Sequence, residues 1–336
     1  MRLWVVIGVI ACIAAPAAGK DEPFGQETVE ARPWRKAPKP DATGRHHTHK
    51  HGHKHDHSRS HERSHAHHGV ETEHLFGFTR GSDIDTPGVR HFIADMTGRF
   101  TKRTGAYTAL SQHFEYAFTP WRDFHVGLGA SFARHSISGV DGLEDRRQTA
   151  FDALSVELRQ RLLDRTQAPF GLTLMAEPHW GRLDEVDGAR ARKFAVEFTI
   201  AADKELIKDR LYAALNLIYE PEWVRLRPTA ESEGVSVTER ESTIGISLAG
   251  MAQVVPSVFV GGEVRYLRAY EGAGLITFAG QALFVGPTVF VTVNDRLTLV
   301  AAYSAQVAGR AEGTVGPLDL DNFERHRAKV KAVVTF

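Results

Sequence analysis

A period-two alternation of apolar and polar residues recurs from residue 91 to the terminal Phe336, and it constrains the fold more than any other feature. In HFIADMTGRF (91–100), Phe92, Ala94, Met96, Gly98 and Phe100 share one face, and Asp95, Thr97 and Arg99 take the other. FHVGLGASF (124–132), FGLTLMAE (170–177), KFAVEFTI (193–200) and RLTLVAAYSAQV (296–307) repeat the pattern. Successive side chains of an extended chain point to opposite sides, so each segment predicts a strand with one apolar face. About twelve such segments start near residues 91, 106, 124, 149, 170, 192, 210, 236, 258, 281, 297 and 323. Each is close to the roughly ten residues that a tilted transmembrane strand needs.

The connections alternate in length. Residues 119–123, 164–169, 252–257 and 293–296 are short links, and 202–209 is intermediate. Residues 136–148, 182–192, 220–234 and 308–322 are long, while 101–105 (TKRTG) breaks the pattern by being short. Short turns on one side and long loops on the other suit an outer-membrane barrel with its turns in the periplasm. An even strand number returns the C-terminus to the side where the barrel began. The expected fold is therefore all-β: an antiparallel transmembrane β-barrel of about 12 strands over 91–336, preceded by a disordered N-terminal segment. Two alternatives stay open here. Residues 151–163 and 210–218 also fit helical spacing, as in a soluble helix-containing protein, and a soluble β-sandwich alternates in the same way.

The first 19 residues combine Arg2, an apolar run and the small residues of APAAG, which predicts a secretory signal peptide. Cys12, the single cysteine, lies within it, so the exported chain is expected to contain neither a disulfide nor a thiolate metal site. Residues 20–72 are rich in Pro, charge and histidine and poor in aliphatics, a composition that cannot offset the entropy of ordering. Residues 73–90 form a lead-in to the barrel. Lys+Arg and Asp+Glu balance at 41 each, which argues against a nucleic-acid partner.

In a barrel the polar faces point inward. The lumen-lining candidates are Glu115, Glu157, Glu177, His179, Glu197, Glu263 and Arg265, with the basic row Arg325, Arg327, Lys329 and Lys331 on the closing strand. Carboxylates on early strands opposite a basic last strand would set a transverse field across a pore. The same charges could instead pair with one another and fill a narrow interior. Ser131, His135 and Ser136 lack an evident catalytic arrangement in the sequence, so no enzyme is expected.

Histidine is the densest chemical signal. His46, His47, His49, His51, His53, His55, His57, His61, His65, His67 and His68 crowd into 46–68. Alternate residues of an extended chain share a side, so neighbouring imidazoles can converge on one ion. Neutral imidazole suits Zn, Ni, Co and Cu, and a disordered tract predicts exchangeable ions rather than a tightly bound cofactor.

Two resemblances add to this reading. HRAKVKAVVTF (326–336), with alternate apolar residues before Phe336, resembles the assembly signal of bacterial outer-membrane barrels, which implies recognition by the barrel-assembly machinery. EHLFGFTRGSDID (73–85) and the strand after it resemble the start of an uncharacterised proteobacterial outer-membrane barrel family. That family is similar to transporter-type barrels, including the phenol-degradation-pathway type, and the resemblance places the motif on the first barrel strands. The expected partners are outer-membrane lipid, the assembly machinery, and metal ions or small solutes. The expected role is a channel or transport-related barrel whose periplasmic His-rich tail buffers metal, or else a non-conducting envelope barrel with a filled lumen.

Overall fold

The computed structural model describes residues 70–226 and 238–336. The expected signal peptide, most of the Pro/charged region and the whole histidine tract lie outside the described residues. Twelve strands follow in order: β1 (Arg90–Phe100), β2 (Ala106–Trp121), β3 (Phe124–Ser138), β4 (Arg146–Leu163), β5 (Gly171–Leu183) and β6 (Arg190–Ile207), then β7 (Leu211–Leu226), β8 (Thr238–Val255), β9 (Val258–Glu271), β10 (Thr277–Asn294), β11 (Leu297–Ala311) and β12 (His326–Thr335). Each strand pairs antiparallel with its sequence neighbours, and β1 pairs with β12 from His91↔Thr335 to Phe100↔His326. Closure leaves no strand edge unpaired, which is what a backbone surrounded by lipid requires.

The alternation maps onto the two surfaces of the wall. Phe92, Tyr116, Leu128, Leu154, Phe198 and Leu248 point outward and are exposed. Their chain neighbours Ile93, Glu115, Ala153, Ser155, Thr199 and Ser247 are buried inward. Trp121 stacks on Phe124 near the short-turn end, with ring centroids 4.7 Å apart. Toward the other end, Trp180, Phe194 and Trp223 form a row at 5.7 and 5.9 Å. Amphipathic rings at both margins of an apolar band are the mark of a transmembrane barrel.

The structure decides one open alternative in favour of the expected strands and changes three expectations. Residues 151–163 and 210–218 are strand, within β4 and β7. The helical spacing in β7 arises because Tyr212 and Ala214 on its inner face join a buried apolar cluster, so both faces of the strand carry hydrophobes. The loops are shorter than expected, because residues 136–138, 146–148, 182–183 and 190–192 continue the ladders. Residues 70–72, the end of the stretch expected to be disordered, are placed, and Thr72 is buried with its hydroxyl donating to Asp203 at 2.5 Å.

Residues 73–85, expected on the first strands, form no strand at all. Together with their neighbours they make a plug, residues 70–89, held by inward side chains of many strands. Leu75 and Phe76 sink into Tyr212, Ala214, Ala249, Met251, Phe259, Phe290 and Val300. Without a ladder of its own, the plug satisfies its backbone through wall side chains, as buried polar groups must. Glu263 accepts the N–H groups of Gly77 (2.7 Å), Phe78 (2.9 Å) and Thr79 (2.7 Å). Asn216 accepts from Arg80 N–H at 2.6 Å and returns its own N–H to the Arg80 carbonyl at 2.9 Å. Asp203 accepts from Ser82 N–H at 2.6 Å. Gly77 has no room for a side chain: a Cβ there would sit 2.3 Å from Ala302 Cβ and 2.7 Å from Glu263 Oε1.

Phe76→Ala should therefore loosen the plug rather than the wall, at a cost of about 3 kcal/mol for a buried aromatic. Protease cleavage within 70–89, in a barrel whose heat-shifted gel mobility is retained, is the expected result. Protection equal to that of the parent would show that Phe76 does not seat the plug.

Candidate functional site

Above the plug, toward the end carrying loops 139–145, 184–189 and 312–325, the lumen keeps a cavity of about 680 Å³. Its lining includes the carboxylates of Glu177 (β5), Glu197 (β6), Glu220 and Glu222 (β7) and Glu241 (β8). The lining from the other arc of the wall includes Arg99 (β1), Arg265 (β9) and Arg327, Lys329 and Lys331 (β12). Period-two geometry produces this arrangement, because each charge sits an odd number of positions from an outward residue of its strand and so must face inward.

The predicted lining residues can now be placed. Glu115, Glu177, Glu197, Arg265, Arg327, Lys329 and Lys331 border the cavity. His179 lies beside it on an annex of about 150 Å³, with Nε2 3.8 Å from Glu220 Oε1. Glu157 is buried below, where Arg80 and Arg159 both pair with it, the latter at 2.5 Å. Glu263 serves the plug. Arg325 is a correction: it is exposed at the rim, one residue before β12, with its backbone still bonded to Thr101 and Gln306, and it does not border the cavity, so the lining row starts at Arg327. Phe336 is exposed beyond β12, and its N–H donates to the Arg90 carbonyl at 2.9 Å. The histidines of 46–68 lie outside the described residues.

Some partners in the lumen come from the plug, a segment with no strand pattern to place it there. Arg80 reaches Glu157, Glu177 (3.1 Å) and Glu197 (3.9 Å) at once. Arg159 bridges Glu157 and Glu73. The Arg265 guanidinium lies 3.9 Å from the centroid of the Phe78 ring. Asp95 pairs with Lys329 at 2.8 Å, and Lys193 pairs with Glu222 at 2.5 Å. The cavity is thus lined by one arc rich in carboxylates that also carries Lys193, and one rich in cations that also carries Asp95, with the lower carboxylates tied off by Arg80 of the plug. Such a site can orient a small dipolar or charged solute. The density of turn-forming and charged residues in 73–85 was the available signal for a non-strand segment, but nothing local says that it folds inward.

The Ser/His candidates separate. His135 is buried and its Nε2 contacts the Glu185 carbonyl at 3.1 Å, whereas Ser136 is exposed on the opposite face. Ser131 Oγ instead lies 2.9 Å from Nδ1 of His113, its direct cross-strand neighbour.

At the rim, the long connection between β11 and β12 is tied down by Lys102, whose ammonium donates to the carbonyls of Asp321 (2.9 Å) and Phe323 (3.1 Å). Burial alone would raise the Glu324 carboxyl. The adjacent Arg327 guanidinium and its hydrogen bond overcome this and hold Glu324 down at about 2.

Residues 68–336 match the model of a family of unknown function, DUF6662. No curated protein matches the sequence. Among solved structures, the chain is similar to the translocator domain of the autotransporter NalP from Neisseria meningitidis, at 12% identity and TM-score 0.44, over 76% of this chain and 91% of that one. It is also similar to the β-domain of the Bordetella autotransporter BrkA, at 13% and 0.45, over 74% and 99%. The NanC porin follows at 9% and 0.41, over 72% and 98%.

A carboxylate held below its ordinary range contributes stability that is complete above its unfolded value and fades as pH falls through the folded one. The Glu324–Arg327 anchor should therefore hold at neutral pH and weaken between about pH 4.5 and pH 2. Hydrogen exchange of residues 312–325 should rise over that window. An unchanged exchange rate down to pH 2 would contradict the anchor.

Proposed function

We propose a function for this chain as a member of DUF6662, the family of unknown function to which it belongs: an outer-membrane barrel that receives a small charged or dipolar solute in a polarised lumen and passes it when the plug is displaced. The observation that carries this reading is the cavity of about 680 Å³, bordered by carboxylates on one arc and by Arg99, Arg265, Arg327, Lys329 and Lys331 on the other, directly above the plug. A volume of that order suits a small molecule. Ion pairing alone would not require such a space.

In this reading the short-turn end, where β1 begins and β12 ends, faces the periplasm. The histidine tract then lies in the periplasm and collects exchangeable Zn, Ni, Co or Cu ions. The barrel-assembly machinery and outer-membrane lipid are its partners during insertion. The resemblance to transporter-type barrels agrees with this role without naming a substrate.

A second reading is favoured by one observation. Leu75 and Phe76 seal the short-turn half of the lumen with an apolar cluster, as a filled, non-conducting envelope barrel would.

Conductance in planar bilayers separates the two. The parent protein should show rare or small openings. Glu263→Ala removes the acceptor of three successive plug N–H groups and should increase open events at least tenfold, since bonds to a charged acceptor contribute about 1.5–3 kcal/mol each. If folded Glu263→Ala barrels conduct no more than the parent, the filled-barrel reading stands.

A further inference from the structure

We propose that the plug and the wall together form a divalent transition-metal site built on Glu73, His74 and His91, with His125 on its flank. One ligand atom from each of Glu73, His74 and His91 lies within 4.8 Å of the others. Glu73 Oε1 is 3.8 Å from His74 Nε2 and 3.4 Å from His125 Nδ1. The rings of His74 and His91 meet edge to face, with centroids 5.3 Å apart and planes at 85°.

These spacings are too long for hydrogen bonds and suit donors that share an ion. At Zn–N and Zn–O lengths near 2.0–2.2 Å, tetrahedral ligand atoms lie about 3.3 Å apart. A separate observation points the same way. His125 is wholly buried, and neither of its ring nitrogens has a hydrogen-bond partner. His74 Nε2 is also buried without one. A buried imidazole held only by the fold would normally satisfy both nitrogens. His125 instead presents Nδ1 to Glu73 and Nε2 to Glu157 Oε1, at 3.7 Å. At 3.7 Å Glu157 makes no hydrogen bond to Nε2, so both nitrogens of this buried ring are left open. His91 has partners on both ring nitrogens, Nδ1 with Thr335 Oγ1 at 3.1 Å and Nε2 with Asp85, so an ion that takes His91 displaces one of them, and Asp85 is placed to follow as a second carboxylate.

Arg159 sits 3.0 Å from Glu73 Oε1 and offsets one negative charge, which disfavours a hard cation that depends on carboxylates alone. Imidazole nitrogens with one or two carboxylates and no sulfur select Zn²⁺, Co²⁺, Ni²⁺ or Cu²⁺ over Ca²⁺ or Mg²⁺. The histidine tract, which offers ligands of the same class, ends at His68, close before Glu73 in the chain. An ion at this site would cross-link the plug, through Glu73 and His74, to β1 through His91. The site does not depend on solute passage and stands even if the barrel never opens.

The test uses the full chain folded in detergent at neutral pH. Crystals grown with Zn²⁺ should give an anomalous peak within bonding distance of Glu73, His74 and His91. After Co²⁺ loading and a chelator wash that strips fast-exchanging ions, about one Co²⁺ per chain should remain. His74→Ala and Glu73→Gln should release that ion at least tenfold faster, while the doubly substituted tract variant His55→Ala/His57→Ala should retain it. An anomalous map with an ordered water only, or equal retention in His74→Ala and the parent, would overturn the site. If a variant loses its heat-shifted mobility, the parent's anomalous map decides alone. Loss of tract binding with the inner ion retained would count against the tract and leave this site intact.

Discussion

The carboxylate of Glu263 takes up three successive backbone N–H groups of the plug, from Gly77 to Thr79, and much of the interior depends on that grip. A segment without a ladder cannot stay inside a barrel unless its polar backbone is satisfied by the wall. Glu263, Asn216 and Asp203 supply those partners from three different strands. Once they hold the chain, Leu75 and Phe76 reach the only kind of surface that can bury them, an inward patch of Tyr212, Met251, Phe259 and Phe290. Apolar residues facing the lumen would be costly in an open water-filled pore, so patch and plug explain each other.

The charge pattern follows from the same arrangement. Inward carboxylates on β4, β5 and β6 find a shared counter-charge in Arg80, which comes from the plug rather than from the wall. The plug forms one side of the cavity, through Phe78 and Arg80 among others, and beyond it the acidic and basic arcs face each other across free space. The barrel is thus filled and sealed in one half and polarised and hollow in the other. The expectation of a selective pore and that of a filled interior each describe part of one molecule.

How much was legible in the sequence can be seen residue by residue. The strand starts expected at 106, 124, 258 and 297 coincide with the observed ones, because strand faces are set by pleat geometry between near neighbours. The lining positions of Glu115, Glu177, Glu197 and Lys329 follow from the same parity. Arg325 departs from it because parity sets a residue's side but not how far the cavity extends, and Arg325 stands exposed at the rim. Residues 151–163 and 210–218 were ambiguous because hydrophobes on both faces of a strand imitate helical spacing.

The sequence by itself determined a period-two pattern of about twelve segments and, wherever a segment is strand, which residues share a face. Only the tertiary structure decided that residues 70–89 enter the barrel and that Glu73, His74, His91 and His125 come together. The reason is one of range. Alternation is a property of adjacent residues, whereas the bond from Gly77 to Glu263 joins positions 186 apart, and nothing in either local stretch encodes the other.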